Sequence, residues 1–259
     1  MKVEIDYTKN IHENAGIYYQ KAKDSKEKFK GIEAAIEETK RELEKAKEEE
    51  KKKQVKVKRE KEWYEKFHHF VSENNRMMIG GRNAQQNDIL VSKKMEENDL
   101  FFHADIQGGS VVLLKDGVNA TEEEKKEAAQ FAASFSNAWK NANAAVDVYC
   151  AKKDQLTKKV SGGFVGSGAF AILGEREWFR STTLGLKIGI IMDEGKEGVI
   201  KRVIIAPEVA NKILDQKISL FPAHAGYDKG QLVKMISKKL NVHPDELLEV
   251  LPNGKSKVK

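Results

Sequence analysis

The chain has 259 residues, of which 33% are charged and 40% hydrophobic, and its formal net charge is +6. This length suits one or two domains, and the sequence contains neither a run of about 18 apolar residues that could span a membrane nor a signal-peptide pattern. A single cysteine, Cys150, excludes an internal disulfide and a thiolate zinc cluster. We therefore expect a soluble, intracellular protein with no membrane partner, no metal and no other cofactor.

The basic surplus lies at the two ends of the chain. From Lys21 to Glu62 there are 16 basic and 12 acidic residues, residues 63–252 are neutral overall, and the tail after Pro252 adds three lysines. A basic surplus favours a partner that carries phosphates, although net charge alone does not identify one.

The first predicted element is a helical arm over residues 1–62. Ten of its residues follow one another at spacings of three and four, the pattern of an a/d heptad seam. These residues are Ala15, Tyr18, Ala22, Ser25, Phe29, Ile32, Ile36, Thr39, Leu43 and Ala46. A second helical stretch is predicted towards Trp63. The arm is then an antiparallel helical hairpin, a dimeric coiled coil with a protein partner, or a solvated connecting helix.

From Trp63 onward the pattern is that of a globular domain with strands and interspersed helices. Thr121 begins a capping box for an apolar helix that is predicted to continue through Trp139. Strands are predicted at 67–71, 76–79, 100–105, 111–114, 146–151, 170–173, 185–192 and 199–206, and helices at 83–94, 121–139, 231–240 and 244–250. Because the order lacks βαβ regularity, the predicted class is α+β, with a mixed or antiparallel sheet, flanking helices and an N-terminal coiled-coil arm.

The densest polar cluster follows Gly80 and Gly81. Glycines permit a close backbone approach, arginine binds phosphates or bases with two hydrogen bonds, and amides both donate and accept. The cluster suits an RNA contact, and the equally supported alternative is a turn with a helix N-cap. Its candidate RNA-binding residues are Arg82, Asn83, Gln85, Gln86 and Asn87. The candidate phosphate contacts are Lys93, Lys94, Lys152, Lys153 and Lys158.

A second cluster surrounds the strand at 100–105. Alternation along the strand puts Asp99, Phe101, His103 and Asp105 on one face. Such a row can orient a base or hold a hard metal, so a hydrolase must be considered, but no nucleophile accompanies it. A hydrogen-bonded structural network is the more common explanation.

Five segments together carry a family resemblance: 63–70, 79–87, 99–106, 134–139 and 165–170. Their ordered succession resembles the NFACT family. The resemblance implies an RNA-binding NFACT-R domain over residues 63–192, the family's middle coiled coil over 1–62 and a C-terminal extension of archaeal type with a basic tail over 193–259.

The family's acidic-x-aromatic-x-His signature falls on Asp99, Phe101 and His103, with Phe where Trp or Tyr is usual. Phe101 lacks the hydrogen-bond donor of Trp or Tyr but retains a ring on which a base can stack.

Longer family members bind the large ribosomal subunit after a stalled ribosome has split, hold tRNA there and direct C-terminal tailing of the nascent chain. The resemblance therefore implies a cytoplasmic, non-enzymatic module that contacts tRNA and the rRNA of obstructed large subunits. Its expected RNA-binding residues include Asp99, Phe101, His103 and Asp105 beside Arg82 and the amides that follow it. The family's amino-terminal domain is not found in this sequence, and the start within the coiled coil favours the C-terminal half of a longer protein. Two alternatives are an RNA-processing enzyme that uses Asp99, His103 and Asp105, and a coiled-coil scaffold for protein partners.

Overall fold

The structure is a computed structural model and describes residues 3–52, 62–195 and 198–259. The chain divides into two compact units, Met1–Glu60 and Lys61–Lys259. In the described ranges no helix is long and apolar enough to cross a membrane.

The first unit is built on one long helix, α1, Ile11–Lys52. Its start is a reciprocal cap, because the Asn10 side chain accepts from the Glu13 N–H at 2.9 Å and Glu13 accepts from the Asn10 N–H at 2.8 Å. The helix predicted from the heptads is confirmed. Its seam residues Phe29, Ile32 and Leu43 are 69%, 54% and 54% exposed, so pairing with another helix stays a prediction. Most of the second helical stretch, residues 53–61, lies outside the described residues.

The second unit contains all the strands described. These are β1 His68–Val71, β2 Met77–Gly80, β3 Leu100–Ala104, β4 Val111–Leu114, β5 Ala145–Lys152, β6 Leu156–Thr157, β7 Lys159–Val160, β8 Gly163–Phe164, β9 Ala171–Ile172, β10 Glu177–Thr183, β11 Leu186–Gly195, β12 Gly198–Pro207, β13 Asp215–Tyr227 and β14 Ser256–Val258. The helices of this unit are α2 Ala84–Ile89, which continues as a π-helical turn Leu90–Lys94, α3 Glu122–Ser134, α4 Asn137–Lys140, α5 Lys229–Leu240 and α6 Pro244–Val250.

The strands form two larger sheets and two short ribbons. The first sheet has the order β1-β2-β4-β3-β5-β10, the second has the order β12-β11-β13-β14, and β6-β9 and β7-β8 are two-stranded. Every pair is antiparallel. The α+β class with a helical arm is confirmed. The boundary predicted at 192/193 falls within β11, and that domain division stays a prediction.

The first sheet is covered on both faces. Phe102, Cys150 and the apolar side of α3 share one buried cluster, whereas Phe67, Phe101 and Tyr149 belong to the cluster on the opposite face. The alternation of Phe101 and Phe102 between the two clusters follows from the two-residue period of a strand. Burial raises the pKa of the Cys150 thiol to about 12, which suits a packing role.

The helix predicted to continue through Trp139 is in fact two helices. Helix α3 ends at Ser134, and α4 begins at Asn137. Ser136 causes the break, because its hydroxyl donates to the Ala133 carbonyl at 2.7 Å and accepts from the Ala138 N–H at 3.1 Å. The break directs α4 towards the site described below.

Candidate functional site

A cleft of about 500 Å³ opens in the second unit beside the start of α2. Its walls come from α2, the turn between β3 and β4, α4 and the segment 167–170. Of the residues predicted from the sequence, it is lined by Arg82, Asn83, Asn87, Phe101 and His103. Among all the described lining residues the formal charges come from Arg82 and Lys140, and none is Asp or Glu. The cleft therefore suits an anionic ligand.

Arg82 is fixed by the backbone at the entrance of α2. Its own N–H donates to the Gln86 side chain at 3.0 Å, and its Nη2 donates to the carbonyls of Phe67 at 3.2 Å and Glu65 at 3.4 Å. In the described part of the chain its buried Nε has no hydrogen-bond partner. Burial lowers the pKa of the guanidinium, which nevertheless remains charged at neutral pH because its ordinary value is so high. Arg82 therefore brings a positioned positive charge to the wall of the cleft.

Three of the four amides that follow Arg82 are already engaged within the protein. Asn83 caps α2 by accepting from the Gln86 N–H at 2.9 Å, and Gln86 Nε2 donates to the Lys66 carbonyl at 3.2 Å. Asn87 Oδ1 accepts from the Val111 N–H at 3.2 Å. Gln85 is exposed. These amides thus shape the loop that holds Arg82, and their direct contact with RNA stays a prediction.

Glycines bring the walls of the cleft close together. A Cβ on Gly81 would lie 2.1 Å from Asn87 Oδ1, and one on Gly109 would lie 2.9 Å from the His103 imidazole. Both distances are shorter than any real Cβ contact, so each glycine is required by its neighbour. The double glycine in the sequence thus serves the packing of α2 against β4.

Two histidines face the cleft. His103 lies on β3, and His68 on β1 stacks on Phe135 with ring centroids 3.8 Å apart. Burial lowers the pKa of both imidazoles, so they are neutral near pH 7. Their buried Nδ1 atoms find no hydrogen-bond partner among the described residues. Both imidazoles therefore contribute neutral ring surface to the wall of the cleft.

We expect these two histidines, together with His69, whose pKa burial also lowers, to make stability depend on pH. Since their folded pKa values lie below the ordinary value, the unfolded chain binds more protons, and stability is lost as pH falls below about 6.5. We expect the free energy of unfolding to fall by up to about 1.4 kcal/mol per pH unit for each histidine in urea titrations between pH 7.5 and 5.5. His68→Asn should make the dependence shallower, whereas the matched variant of exposed His224, His224→Asn, should not. An equally steep dependence in both variants would contradict the assignment.

The second predicted cluster is divided, because Phe101 and His103 line the cleft whereas its two carboxylates do not. Asp99 is 1% exposed, and its carboxylate accepts from Lys115 Nζ at 2.5 Å and from the N–H groups of Glu96 at 2.7 Å and Asp116 at 2.9 Å. Asp105 is exposed and, like Asp99, does not line the cleft. Within the described ranges no group of three His, Cys, Asp or Glu residues could hold a metal. Asp99 therefore anchors a turn.

The predicted phosphate lysines occupy different places. Lys158 Nζ bonds to Asp88 at 2.5 Å and to the Ala169 carbonyl at 2.7 Å. Asp88 also accepts from the Ser167 hydroxyl at 2.8 Å and from the Gly168 N–H at 3.0 Å. Lys158 and Asp88 therefore clamp the wall at 167–170 onto α2. None of the five lysines is among the lining residues described.

The other predicted lysines lie elsewhere on the surface. Lys153 pairs with Glu97 at 2.8 Å, Lys94 lies over the Trp63 ring at 4.3 Å, and Lys93 and Lys152 are exposed. Their contact with phosphates stays a prediction. Lys140, which lines the cleft, was missed, since only the break at Ser136 turns it towards the site.

Known proteins resemble this chain over the stretch that forms most of the cleft. Residues 66–174 match the sequence model of the NFACT protein RNA binding domain. The chain belongs to the NFACT family. Within the matched stretch, the residues that line the cleft include Arg82, His103, Lys140 and Tyr149, which come from four different elements or turns.

Two NFACT-family relatives extend the similarity beyond that region. The chain is 36% identical over 201 residues to the archaeal Rqc2 homolog aRqcH of Methanocaldococcus jannaschii, which covers 76% of this chain and 29% of the relative. It is 32% identical over 199 residues to the ribosome quality control complex subunit NEMF homolog of Drosophila melanogaster, covering 72% of this chain and 20% of the relative. The chain thus spans less than a third of the length of either relative. A solved C-terminal structure of the fibronectin/fibrinogen-binding protein from Streptococcus suis is 26% identical, covers 66% of this chain and 76% of that chain, and has a TM-score of 0.40.

Proposed function

We propose that this chain is the RNA-binding module of a ribosome quality control factor. It contacts tRNA and the rRNA of obstructed large ribosomal subunits in the cytoplasm and supports C-terminal tailing of stalled nascent chains. The observation that carries the proposal is the cleft itself, whose described lining bears Arg82 and Lys140 and no carboxylate and lies largely within the stretch matched to an RNA binding domain. Two relatives bear the names Rqc2 homolog and ribosome quality control complex subunit.

The chemistry of the cleft suits RNA in two ways. Arg82 and Lys140 supply positive donors for phosphate oxygens, and the half-buried His103 and Phe170 supply rings. RNA is recognised by phosphate contacts together with stacking and hydrogen bonding of unpaired bases. We therefore assign positioning of the backbone to the two cations and contact with bases to the rings.

The same geometry supports our proposal that the chain binds RNA without catalysing a reaction on it. The enzyme alternative requires Asp99, His103 and Asp105 to act together, but the Asp99 carboxylate is occupied by Lys115 and two backbone N–H groups. A general base or a metal ligand at this position would first have to give up those bonds. We assign residues 63–192 to RNA binding and 193–259 to an extension that supports it.

Salt dependence tests the proposal. We expect tRNA and large subunits to bind the full chain with an affinity that falls steeply with salt, as counterion release requires. Lys140→Ala should weaken binding about threefold to tenfold and reduce the slope of log affinity against log salt by about 1. Lys126→Ala, an exposed lysine of α3 outside the cleft, should change neither quantity. Absence of binding to both RNAs, or equal effects of the two variants, would overturn the proposal.

The arm supports a protein-docking role beside RNA binding. Phe29, Ile32, Ile36 and Leu43 are at least half exposed on one seam of α1, and such a seam is stabilised by burial against another helix. We propose that this helix comes from a protein partner or from a second pass of the same chain.

A further inference from the structure

A row of rings crosses the first sheet from the cleft to its edge. His103 on β3 pairs with Tyr149 on β5, and Tyr149 pairs with Trp178 on β10, the last strand of that sheet. Residues directly opposite each other on neighbouring strands share a face, and the ring centroids are 5.7 Å and 5.5 Å apart along the row. Since His103 and Tyr149 also line the cleft, the row leads from the cleft to the sheet edge.

Two arginines lie over the outer part of this row. The Arg176 Cζ is 4.7 Å from the centroid of the Tyr149 ring, and the Arg180 Cζ is 3.9 Å from that of the Trp178 ring. Both arginines are exposed, with 61% of the Arg180 side chain accessible. A guanidinium over a ring is attracted to its π-face, so each is held near one place while its outer side faces solvent.

A carboxylate and a bulge fix the orientation of Arg180. Its Nη1 bonds to Asp147 Oδ2 at 2.7 Å, while Asp147 Oδ1 accepts from the Ser181 N–H at 2.7 Å. Ser181 has a φ of 48°, and the register of β10 against β5 shifts between Phe179 and Thr182. The bulge therefore belongs to the arrangement that holds Arg180 over the Trp178 ring.

We propose that Arg176 and Arg180, backed by Tyr149 and Trp178, form a second RNA contact for unpaired nucleotides that leave the cleft. The inference rests on the proposed RNA binding of the cleft and deepens it by naming the partner as single-stranded RNA. Unpaired bases stack on aromatic and guanidinium planes, and a guanidinium grips phosphate with two hydrogen bonds. A duplex hides its base faces and offers this surface only its phosphates.

The choice between single strands and duplexes provides the test. The probes are an oligouridine of about 12 nucleotides, within the usual site sizes for single strands, and a duplex RNA of the same length, titrated against the full chain. The double variant Arg176→Ala/Arg180→Ala should bind the oligouridine about tenfold more weakly and the duplex only about twofold to threefold more weakly, through the loss of charge. The matched pair Lys126→Ala/Lys238→Ala removes two exposed cations elsewhere on the same unit and should change both affinities less than about twofold.

A charge-preserving variant separates stacking from simple attraction. Arg176→Lys/Arg180→Lys should keep the salt dependence and still bind oligouridine about threefold to fivefold more weakly, because lysine lacks the planar fork. Full affinity of the lysine pair would overturn the stacking contact. An alanine pair that binds oligouridine like the unaltered chain, while Lys140→Ala weakens it, would overturn the second contact and leave the proposed function intact. Absence of RNA binding by the unaltered chain would overturn both.

Trp178 gives an independent optical readout. Its fluorescence should be quenched when oligouridine binds, and Trp178→Phe should remove most of the quenching while binding weakens less than about threefold, since phenylalanine retains a ring under Arg180. Quenching that survives in Trp178→Phe would place the nucleotide near another tryptophan and overturn the assignment to the edge of the sheet.

Discussion

Replacing Glu124 by alanine should lower the free energy of unfolding by about 3 kcal/mol, the largest stability loss we expect from a single polar side chain of this protein. Glu124 is 3% exposed and accepts from the Ser72 hydroxyl at 2.9 Å, the Arg76 Nε at 2.9 Å and the Thr121 N–H at 3.0 Å. It therefore ties the β1–β2 turn to the start of α3. Its removal leaves the partners of a buried carboxylate without an acceptor.

Chemical denaturation of the full chain at pH 7 measures the effect. Glu123→Ala is the matched control, because Glu123 is the exposed neighbour in the same turn of α3 and its loss should cost less than about 0.5 kcal/mol. Glu124→Gln should fall between the two, since the amide retains one acceptor oxygen but loses the charge. A loss below about 1 kcal/mol in Glu124→Ala would contradict the structural role.

The stabilisation by the Glu124 carboxylate should depend on pH. Burial by itself would raise the pKa of Glu124, but the hydrogen bonds from Thr121, Ser72 and Arg76 outweigh burial and lower it. A lowered pKa means that the stabilisation is present above the unfolded value and is lost as pH falls below about 4.5. The difference in stability between the unaltered chain and Glu124→Ala should therefore shrink in acid.

Elements whose signals are local could be predicted from the sequence. The capping box at Thr121 is formed by that residue and Glu124 three positions later, and the paired strands β1 and β2 are joined by a turn whose Asn75 has a φ of 62°. Such features depend on residues that are close in the chain, and the residue types found at caps and turns indicate the backbone conformation. The edge strand β10 was missed because its sequence, Glu177–Thr183, is mostly polar and exposed.

The cleft shows where sequence reasoning ends. Arg82 was found, since a double glycine before an arginine and a helix start is visible in the sequence. His68, Lys140 and Tyr149 come to the same cleft from three distant segments, and only the order of the strands and the break before α4 bring them together. Asp99 shows the converse case: its spacing to His103 suggested a shared task, whereas its carboxylate bonds to Lys115, which the sequence places 16 residues away.

Arg82→Ala should weaken RNA binding about thirtyfold at fixed salt, equivalent to about 2 kcal/mol and larger than the effect of Lys140→Ala. The difference follows from their surroundings. Lys140 is exposed and can contribute a flexible point charge, whereas Arg82 is held by the carbonyls of Phe67 and Glu65 with its buried Nε still unpaired among the described residues. A positioned donor loses less conformational freedom when it binds, so its removal costs more affinity.

The stability of the variant must be separated from its affinity. The two hydrogen bonds of Nη2 are 3.2 Å and 3.4 Å long, so we expect Arg82→Ala to lose about 1 kcal/mol of folding stability, too little to unfold a domain. Thermal unfolding of Arg82→Ala and Arg82→Lys establishes the temperature at which both are folded. Affinities for tRNA and oligouridine are then compared at that temperature with those of Lys126→Ala, which should match the unaltered chain.

The salt series decides how Arg82 acts. If it contributes charge alone, Arg82→Lys should bind like the unaltered chain and Arg82→Ala should approach it at high salt, where counterion release no longer favours binding. If Arg82 donates directional hydrogen bonds, as its fixed position in the cleft leads us to expect, both variants should bind RNA more weakly than the unaltered chain even at high salt. Arg82→Lys should then restore only the slope of log affinity against log salt. Affinities within about twofold of the unaltered chain at every salt concentration would remove Arg82 from the site, and with it the main positive group on the α2 wall of the cleft.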